Sequence, residues 1–463
     1  MDGDDLCNLT QDDEELEYNT LLQTLQQRYN DGKSCTFMGD ILLSINLSTQ
    51  KTDGTLTSQL SSRLHQALLV SVESQCLIVS GESGSGKTTI STNILKQFLG
   101  CCNTQHRKIR DTIEIADSIV GIFGSAKCTG RSSSSTRFAK LLQVYFSTEK
   151  LLNSCTITEY LLEKSRVTNT NNNECNFNIF YYLFAGRTEE ELCRQLIDSP
   201  TSYRYLNYGA GFGDDGNLRR WSKCYNKLVK DMTGVGFTDE DVSSVCGVLS
   251  AILNLGELKF AIHNDDDAVV YIENLDILDK VAVLLAVESE DLELCLTSNL
   301  CSANENDLSS FKNAHEAEAC REVLAQELYS RLFSWIVSRL NVCLSSSGDG
   351  KKRKQDELSV GFLDMFGFEN LSLNSLEQLC INVANEQLQL HFTQNVFALE
   401  QFECKEEELN FDKFEYTDNK EVSSLIVSSR FPGHPPPQNL RGPPRILGPS
   451  TEYFFPVPPR ELC

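Results

Sequence analysis

The sequence predicts an α/β protein in which a mostly parallel central sheet is flanked by helices. Short apolar runs at residues 76–79 and 358–363 are typical of buried parallel strands. Longer segments at residues 317–344 and 376–400 carry the apolar spacing of amphipathic helices. Because strands and helices alternate, we expect right-handed crossover connections that place helices against the sheet.

Composition and charge limit the classes of partner. Of the 463 residues, 40% are hydrophobic and 23% are charged, which is typical of globular rather than disordered or fibrous chains. The formal net charge of -24 argues against nucleic acid or an anionic membrane surface as a partner, because both are polyanions. No apolar window is long enough to span a membrane, and the acidic residues 1–5 do not begin a signal peptide. We therefore expect a cytoplasmic protein whose scattered cysteines are reduced thiols.

Proline is concentrated in the last part of the printed sequence. Ten of the eleven prolines lie at or after Pro432, and proline cannot donate the hydrogen bonds of helices or sheets. This segment is therefore predicted to be a disordered tail. The P-x-x-P spacing from Pro432 to Pro435 and the aromatic-plus-proline residues 455–459 are typical of ligands for SH3- or EVH1-type domains. The alternative is that a proline-rich segment matches such short patterns by chance.

The strongest chemical signal is a phosphate-loop pattern, G-x-x-x-x-G-K-[ST], between a predicted strand at residues 77–79 and a predicted helix at residues 89–98. Its glycines allow backbone N–H groups and a helix N-terminus to converge on phosphate oxygens. Lys87 would reach the β and γ phosphates of ATP, and Thr88 would offer its hydroxyl to Mg²⁺. The alternative is a glycine-rich turn without a ligand. The predicted nucleotide-binding residues are Gly81, Glu82, Ser83, Gly84, Ser85, Gly86, Lys87, Thr88 and Thr89.

Two further stretches are candidate sensors of the γ-phosphate. Residues 132–140 form a hydroxyl-rich segment that ends in Arg137 and a lysine and precedes a predicted strand at residues 141–146. Residues 361–369 form a predicted buried strand that ends in Asp364 and is followed by a glycine turn. The competing interpretations are a surface ion pair for Arg137, worth under about 1 kcal/mol, and a strand-end turn residue for Asp364.

Together these stretches resemble the myosin motor head. Residues 81–88 resemble its phosphate loop, residues 132–140 its switch I, and residues 364–369 its switch II. Residues 160–167 and 178–186 also match the family, and the stretch from Asn374 to Gln401 resembles the segment that becomes the relay helix. In the family these stretches occur in this order and at comparable spacings, and the resemblance covers residues 5 to about 410.

The resemblance implies a Mg²⁺ site and a water-orienting residue. Ser135 and Thr136 take the places of the two switch I serines, of which one orients the attacking water and the other holds Mg²⁺. Thr88 would be the other hydroxyl ligand of Mg²⁺. Asp364 would lie behind these direct ligands.

The resemblance also implies contacts that close the site. Gly367 would donate its backbone N–H to the γ-phosphate. Arg137 and Glu369 would form an ion pair that joins the two switches. The implied catalytic residues are therefore Ser135, Arg137, Gly367 and Glu369.

Two departures from the family pattern weaken the expected nucleotide affinity. Switch I usually has the pattern N-x-N-S-S-R-F-G-K, but here Ser132 and Ser134 replace both asparagines and Ala139 replaces the glycine. Alanine disfavours any positive φ that the glycine supplied. The purine-binding loop, N-P-x-[KR] in the family, corresponds to residues 46–49 and lacks both the proline and the basic residue.

The resemblance implies a domain organisation. Beyond residues 403–405 it fades, and the converter and the lever are expected to be absent. The predicted organisation is a partial motor head at residues 1–410, made of a phosphate-loop and switch I core (1–170), a helical upper lobe (171–357) and switch II with the relay-like helix (358–410), followed by a divergent proline-rich tail (411–463).

The function implied by the resemblance is an actin-associated, cytoskeletal motor head with a myosin-type Mg-ATPase. The alternative is a catalytically impaired pseudo-motor that acts as a nucleotide-binding or protein-interaction scaffold. The intact phosphate loop favours retained ATP chemistry, whereas the switch I serines and the missing converter favour the scaffold. A phosphate-loop signalling ATPase outside the myosins leaves residues 160–167 and 374–401 unexplained.

Overall fold

The described part of the chain falls into two compact units that divide between Phe366 and Gly367. The computed structural model describes residues 18–39, 41–45, 54–104, 108–128, 134–170, 174–198, 200, 203–206, 215–262, 270–299, 310–345, 358–371, 374–409, 416 and 418–427. Residues 46–49, Ser132 and the proline-rich segment lie outside these ranges, so the predictions made for them stay predictions.

The first unit combines strands and helices. Its strands are β1 Cys35–Met38, β2 Ile41–Ser44, β3 Gln75–Val79, β4 Ser125–Lys127, β5 Ser134–Thr136, β6 Ala139–Phe146, β7 Leu152–Tyr160, β8 Phe260–Ile262, β9 Val270–Ile272, β10 Ser298–Asn299, β11 Ser310–Phe311 and β12 Ser359–Asp364. Its helices are α1 Tyr18–Asn30, α2 Gly54–Ser71, α3 Lys87–Cys101, α4 Lys108–Phe123, α5 Asn178–Gly186, α6 Glu189–Arg194, α7 Asp215–Val235, α8 Asp239–Gly256, α9 Leu275–Leu285, α10 Ser289–Thr297 and α11 Ala314–Leu344, with a 3₁₀ turn at Lys164–Val167.

A four-stranded sheet lies at the centre of this unit, in the order β3-β12-β6-β7. Strand β12 pairs parallel with β3, but β12 with β6 and β6 with β7 pair antiparallel. The prediction of a mostly parallel sheet is therefore wrong for the described strands, and the sheet is mixed. The physical reason is burial: β12 is covered on both faces, and its apolar side chains do not show in which direction a neighbouring strand runs.

The other predicted elements of the sheet and the helices are confirmed with small shifts of their ends. The strand expected at residues 77–79 is β3, and the helix expected at 89–98 is α3. The helix expected at 317–344 begins earlier because Asn313 caps it: its side chain accepts a hydrogen bond from the Glu316 N–H, and the Glu316 carboxylate accepts one from the Asn313 N–H.

Aromatic side chains fix the sheet to its helices. The ring of Phe98 on α3 makes edge contacts with Phe146 on β6 and Phe362 on β12, at centroid distances of 6.1 and 5.4 Å. On the other side of the core, Tyr329 of α11 stacks on Phe177 at 4.6 Å and donates its hydroxyl to the Phe123 carbonyl. The Phe98 contacts thus join α3 to the sheet, whereas the Tyr329 contacts join α11 to the neighbouring helices.

Helix α11 also contacts β7 through a side-chain amide. Asn341 Oδ1 accepts a hydrogen bond from the Ile157 N–H, and Asn341 Nδ2 donates to the Ile157 carbonyl, both at 2.8 Å. The amide thus satisfies both backbone groups of one strand residue.

Gly124 is a position where the fold tolerates only glycine. A Cβ there would lie 2.2 Å from two ring atoms of Phe138, which itself packs edge-on against Phe333 at 5.1 Å. We expect Gly124→Ala to lower the free energy of unfolding by about 1–3 kcal/mol, because the ring has to leave its packed position.

Gly121, on α4 just before the turn that contains Gly124, provides the matched control. A Cβ there meets no heavy atom within 4 Å. Gly121→Ala is therefore expected to leave stability unchanged or to raise it by about 0.5–1 kcal/mol. Urea denaturation of the two variants measures both effects, and equal midpoints would contradict the packing argument.

The second unit is helical in its described part. Its elements are α12 Leu376–Thr393, a π-helical turn Gln394–Ala398, α13 Leu399–Glu406 and α14 Lys420–Val427. The predicted helix at 376–400 is thus confirmed, with a wider turn within it. In the described residues of both units, no helix has the length and apolar character needed to cross a membrane.

Candidate active site

The phosphate-loop residues lie between the end of β3 and the start of α3. Gly81, Gly84 and Gly86 have φ values of 145°, 84° and 92°. Residues with a Cβ atom are strained at such φ angles, so the backbone conformation itself requires glycine at these positions. The loop therefore has the strand–loop–helix geometry that the motif predicts.

Lys87 is buried at the N-terminus of α3. Its Nζ donates hydrogen bonds to the carbonyl oxygens of Gly81 and Glu82, at 2.8 and 2.7 Å. The ammonium group is thereby held over the loop, where the N-terminus of the helix adds further positive potential.

The two hydroxyls predicted to bind Mg²⁺ come together. Thr88 Oγ1 on α3 and Thr136 Oγ1 on β5 are 2.9 Å apart, although the residues are 48 positions apart in sequence. Strand β5 is positioned by its pairing with β4, in which Thr136 lies opposite Ser125. The contact joins the phosphate-loop helix to the switch I-like segment.

Asp364 ends β12 and is 1% exposed. Lys140 Nζ lies 3.9 Å from Asp364 Oδ2 and 2.5 Å from Asp117 Oδ1 on α4. Burial raises the pKa of Asp364 above its ordinary value, although the charge of Lys140 opposes the shift. Burial lowers the pKa of Lys140, but Asp117 and Asp364 outweigh it and raise that pKa. The three side chains form one buried charge cluster.

Asp364 also provides a test of whether Mg²⁺ fits here. Its carboxylate oxygens are buried and form no close hydrogen bond within the described residues, although the Thr88 hydroxyl and the Lys140 ammonium lie beside them. Buried carboxylate oxygens are normally satisfied, and carboxylate and hydroxyl oxygens are ligands that Mg²⁺ prefers. The residues Thr88, Thr136 and Asp364 therefore fit a magnesium site.

Arg137 is buried and belongs to a network of side chains. Its Nη2 donates to Ser135 Oγ at 2.9 Å and to Ser83 Oγ at 3.5 Å, and its Nη1 lies 3.6 Å from Glu163 Oε2. The interpretation of Arg137 as a surface residue is therefore wrong. Glu163 also accepts a hydrogen bond from Arg166 Nε at 2.7 Å.

Two residues of the site, Glu163 and Asp117, were not assigned a role from the sequence. Glu163 lies within residues 160–167, which carried the family resemblance without a function for its carboxylate. Asp117 lies outside every motif. The feature that could have identified it is an acidic side chain on the otherwise apolar buried face of α4. A charge on a buried helix face indicates a buried partner.

The switch I departures have local consequences. Ser134 Oγ accepts a hydrogen bond from Asn178 Nδ2 at 3.0 Å, so an amide does lie beside this segment. Ala139 is in extended backbone within β6 and has no positive φ. A positive φ that alanine would disfavour is therefore not present at this position.

Gly367 and Glu369 belong to the second unit. Within it, the Glu369 N–H donates to Asn382 Oδ1 and Asn382 Nδ2 donates to the Glu369 carbonyl, both at 2.8 Å. Because Arg137 lies in the first unit, the ion pair between Arg137 and Glu369 stays a prediction. The contact of Gly367 with a γ-phosphate stays one as well.

The strand, the glycine loop and the helix that follows it are consistent with a phosphate-loop NTPase core. The chain belongs to the myosin head family, because the family model described as "Myosin head (motor domain)" matches residues 57–433. The resemblance to the myosin head is thus confirmed, but the match continues beyond residues 403–405, where the resemblance was expected to fade.

Individual relatives agree with the family match. Myosin-IIIb of Mus musculus is 33% identical over 451 residues, which cover 92% of this chain and 34% of the relative. Myosin-IIIa of Homo sapiens is 34% identical over 454 residues, which cover 92% of this chain and 27% of the relative. Myosin-I heavy chain of Dictyostelium discoideum is 33% identical over 427 residues, which cover 88% of this chain and 18% of the relative. The chain therefore spans about a third or less of the length of these relatives.

Proposed function

We propose that this chain forms a myosin-type motor head that binds and hydrolyses ATP with Mg²⁺ and associates with actin filaments. The observation that carries the proposal is the 2.9 Å contact between the hydroxyls of Thr88 and Thr136. It joins the phosphate-loop helix to the switch I-like segment, and the buried Asp364 carboxylate adds acidic oxygens to the same neighbourhood. A site for a metal-bound triphosphate requires these groups together.

In this proposal the backbone N–H groups of residues 81–89 and the ammonium of Lys87 hold the triphosphate. Thr88 and Thr136 hold Mg²⁺, with Asp364 behind them. When bound, Mg²⁺ neutralises charge on the phosphate oxygens.

The residues around Arg137 orient the attacking water. Ser135 keeps its hydroxyl in place by accepting a hydrogen bond from Arg137, which leaves the hydroxyl proton of Ser135 for another acceptor. Glu163 holds the same guanidinium group from its other side. The catalytic roles of Gly367 and Glu369 stay predictions.

The domain organisation is also part of the proposal. Residues 1–170 form the phosphate-loop and switch I core, residues 171–357 the helical upper lobe, and residues 358–410 switch II with the relay-like helix. Helices α5 to α11 lie in the second of these ranges, which supports a helical lobe. Binding of SH3- or EVH1-type domains to residues 411–463 stays a prediction. A cytoplasmic, cytoskeleton-associated location follows from the proposed motor function.

The proposal is tested with the purified 463-residue chain. Fluorescent ATP is titrated in the presence of Mg²⁺, and phosphate release is measured with and without filamentous actin. We expect micromolar binding and release that actin accelerates. Absence of binding at millimolar nucleotide would contradict the proposal and would favour the scaffold alternative.

The ion pair between the switches gives a separate prediction. We expect Glu369→Arg to stop phosphate release, because two guanidinium groups would then repel each other. Adding Arg137→Glu should restore release only in part, since the new carboxylate lies beside Glu163. Single-turnover phosphate release measures both variants. Identical inactivity of the single and double variants would remove the pair from the mechanism.

A further inference from the structure

The charge cluster behind the proposed Mg²⁺ site is asymmetric. Lys140 Nζ is 2.5 Å from Asp117 Oδ1 but 3.9 Å from Asp364 Oδ2. The first distance is that of a charge-assisted hydrogen bond, whereas the second leaves the ions in contact range without a hydrogen bond. Lys140 is therefore bound to Asp117 and is only a neighbour of Asp364.

This asymmetry decides what the Asp364 oxygens can do. They are buried, and no close hydrogen bond from another described residue satisfies them. A lysine ammonium in direct contact would occupy one of them. The strand pairing places Lys140 directly opposite Asp364, so the side chain has the position to make that contact.

The Asp117 carboxylate is held in a position where it binds the Lys140 ammonium in preference to Asp364. It lies on the buried face of α4 and is 5% exposed. Its second oxygen, Oδ2, accepts a hydrogen bond from Thr92 Oγ1 on α3 at 3.3 Å. The carboxylate is thus fixed between two helices and the sheet before any ligand binds.

We propose that Asp117 is a positioning residue that holds Lys140 away from Asp364, so that the Asp364 carboxylate stays open to the hydrated Mg²⁺ of a bound nucleotide. This inference rests on the proposed function, because it assigns a role at the same site. The cluster has two carboxylates around one ammonium, so one carboxylate is left for a divalent cation to approach.

Asp117→Asn removes the ionic partner of Lys140 without changing the size of the side chain. The ammonium is then expected to pair directly with Asp364 and to compete with the metal. The Mg²⁺ concentration that gives half-maximal binding of fluorescent ATP should rise at least about tenfold, in the range found when groups that orient metal ligands are removed. Binding of the same nucleotide in EDTA should be unchanged, because the phosphate loop is untouched.

The double variant Asp117→Asn, Lys140→Met separates this role from ordinary packing. It removes the competing ammonium and returns the cluster to a single negative charge, so the Mg²⁺ midpoint should fall back toward that of the unmodified chain. A packing role would instead make the double variant worse than the single one. Glu114→Gln is the matched control: it makes the same acid-to-amide change on α4 at a side chain that is 36% exposed and pairs only loosely with Lys96, at 3.9 Å, so its midpoint should stay near the original.

The outcomes distinguish the two proposals. If the unmodified chain binds no nucleotide, the proposed function fails and this inference fails with it. If the unmodified chain binds Mg²⁺-ATP but Asp117→Asn leaves the midpoint unchanged, this inference alone is overturned. This inference is also overturned if Asp117→Asn weakens ATP binding equally in Mg²⁺ and in EDTA. It is overturned as well if the Mg²⁺ midpoint of the double variant does not fall back toward that of the unmodified chain. Thermal unfolding of each variant checks that the compared chains are folded.

Discussion

Replacing Lys87 with alanine is expected to weaken binding of Mg²⁺-ATP at least about 100-fold. The ammonium is buried and is held by two loop carbonyls at the N-terminus of α3, so it is positioned before the ligand arrives. Its removal leaves the phosphate charge facing backbone dipoles alone. Equilibrium titration with fluorescent ATP measures the change, and circular dichroism confirms that the variant is folded.

Lys96→Ala is the matched control for this experiment. Lys96 lies on the same helix, but its side chain is 53% exposed and its nearest acidic partner, Glu114, is 3.9 Å away. The same change of charge far from the loop should leave ATP affinity nearly unchanged, because exposed charges are screened. An equal loss in both variants would mean that the effect is general electrostatics, and unchanged binding in Lys87→Ala would contradict the nucleotide-binding proposal itself.

The second large effect is expected at Arg166. This guanidinium is 6% exposed and contacts Glu163 Oε2 at 2.7 Å, Glu174 Oε2 at 2.8 Å and the Cys175 carbonyl at 3.2 Å. Burial lowers the pKa of Arg166, but the carboxylate of Glu163 raises it, so the group stays charged. Arg166→Met should lower the free energy of unfolding by about 3–5 kcal/mol, because it leaves buried carboxylates without their counter-ion.

An exposed ion pair provides the comparison for Arg166. Arg204 is 54% exposed and lies 3.7 Å from Glu322. Arg204→Met should cost less than about 1 kcal/mol, since exposed pairs gain little in water. Urea denaturation of both variants measures the difference. If Arg166→Met is as mild as Arg204→Met, the network around Glu163 is not a source of stability.

The sequence predicted the elements of the core better than their pairing. Apolar runs marked β3 and β12 because burial requires apolar side chains on both faces of a covered strand. The same pattern cannot distinguish a parallel from an antiparallel neighbour when helices cover both faces. The direction of β6 is instead set by its hairpin to β7.

The candidate site was predictable where a motif carries its own backbone geometry. The positive φ values of Gly81, Gly84 and Gly86 follow directly from their spacing in the phosphate loop. The contact between Thr88 and Thr136 could be expected only through the family resemblance, because tertiary structure brings them together. Asp117 and Glu163 were missed since neither belongs to a phosphate-binding motif, and only the fold shows that they face Lys140 and Arg137.

The amide of Asn341 has a consequence for how molecules of this chain meet one another. Strand β7 is an edge of the central sheet among the described strands, and Ile157 lies in its middle. Unpaired backbone groups on such an edge are a template for a strand from another molecule. Because one helix side chain both accepts from and donates to Ile157, it takes the place of the next strand. The helix therefore protects the chain against edge-to-edge aggregation at this position.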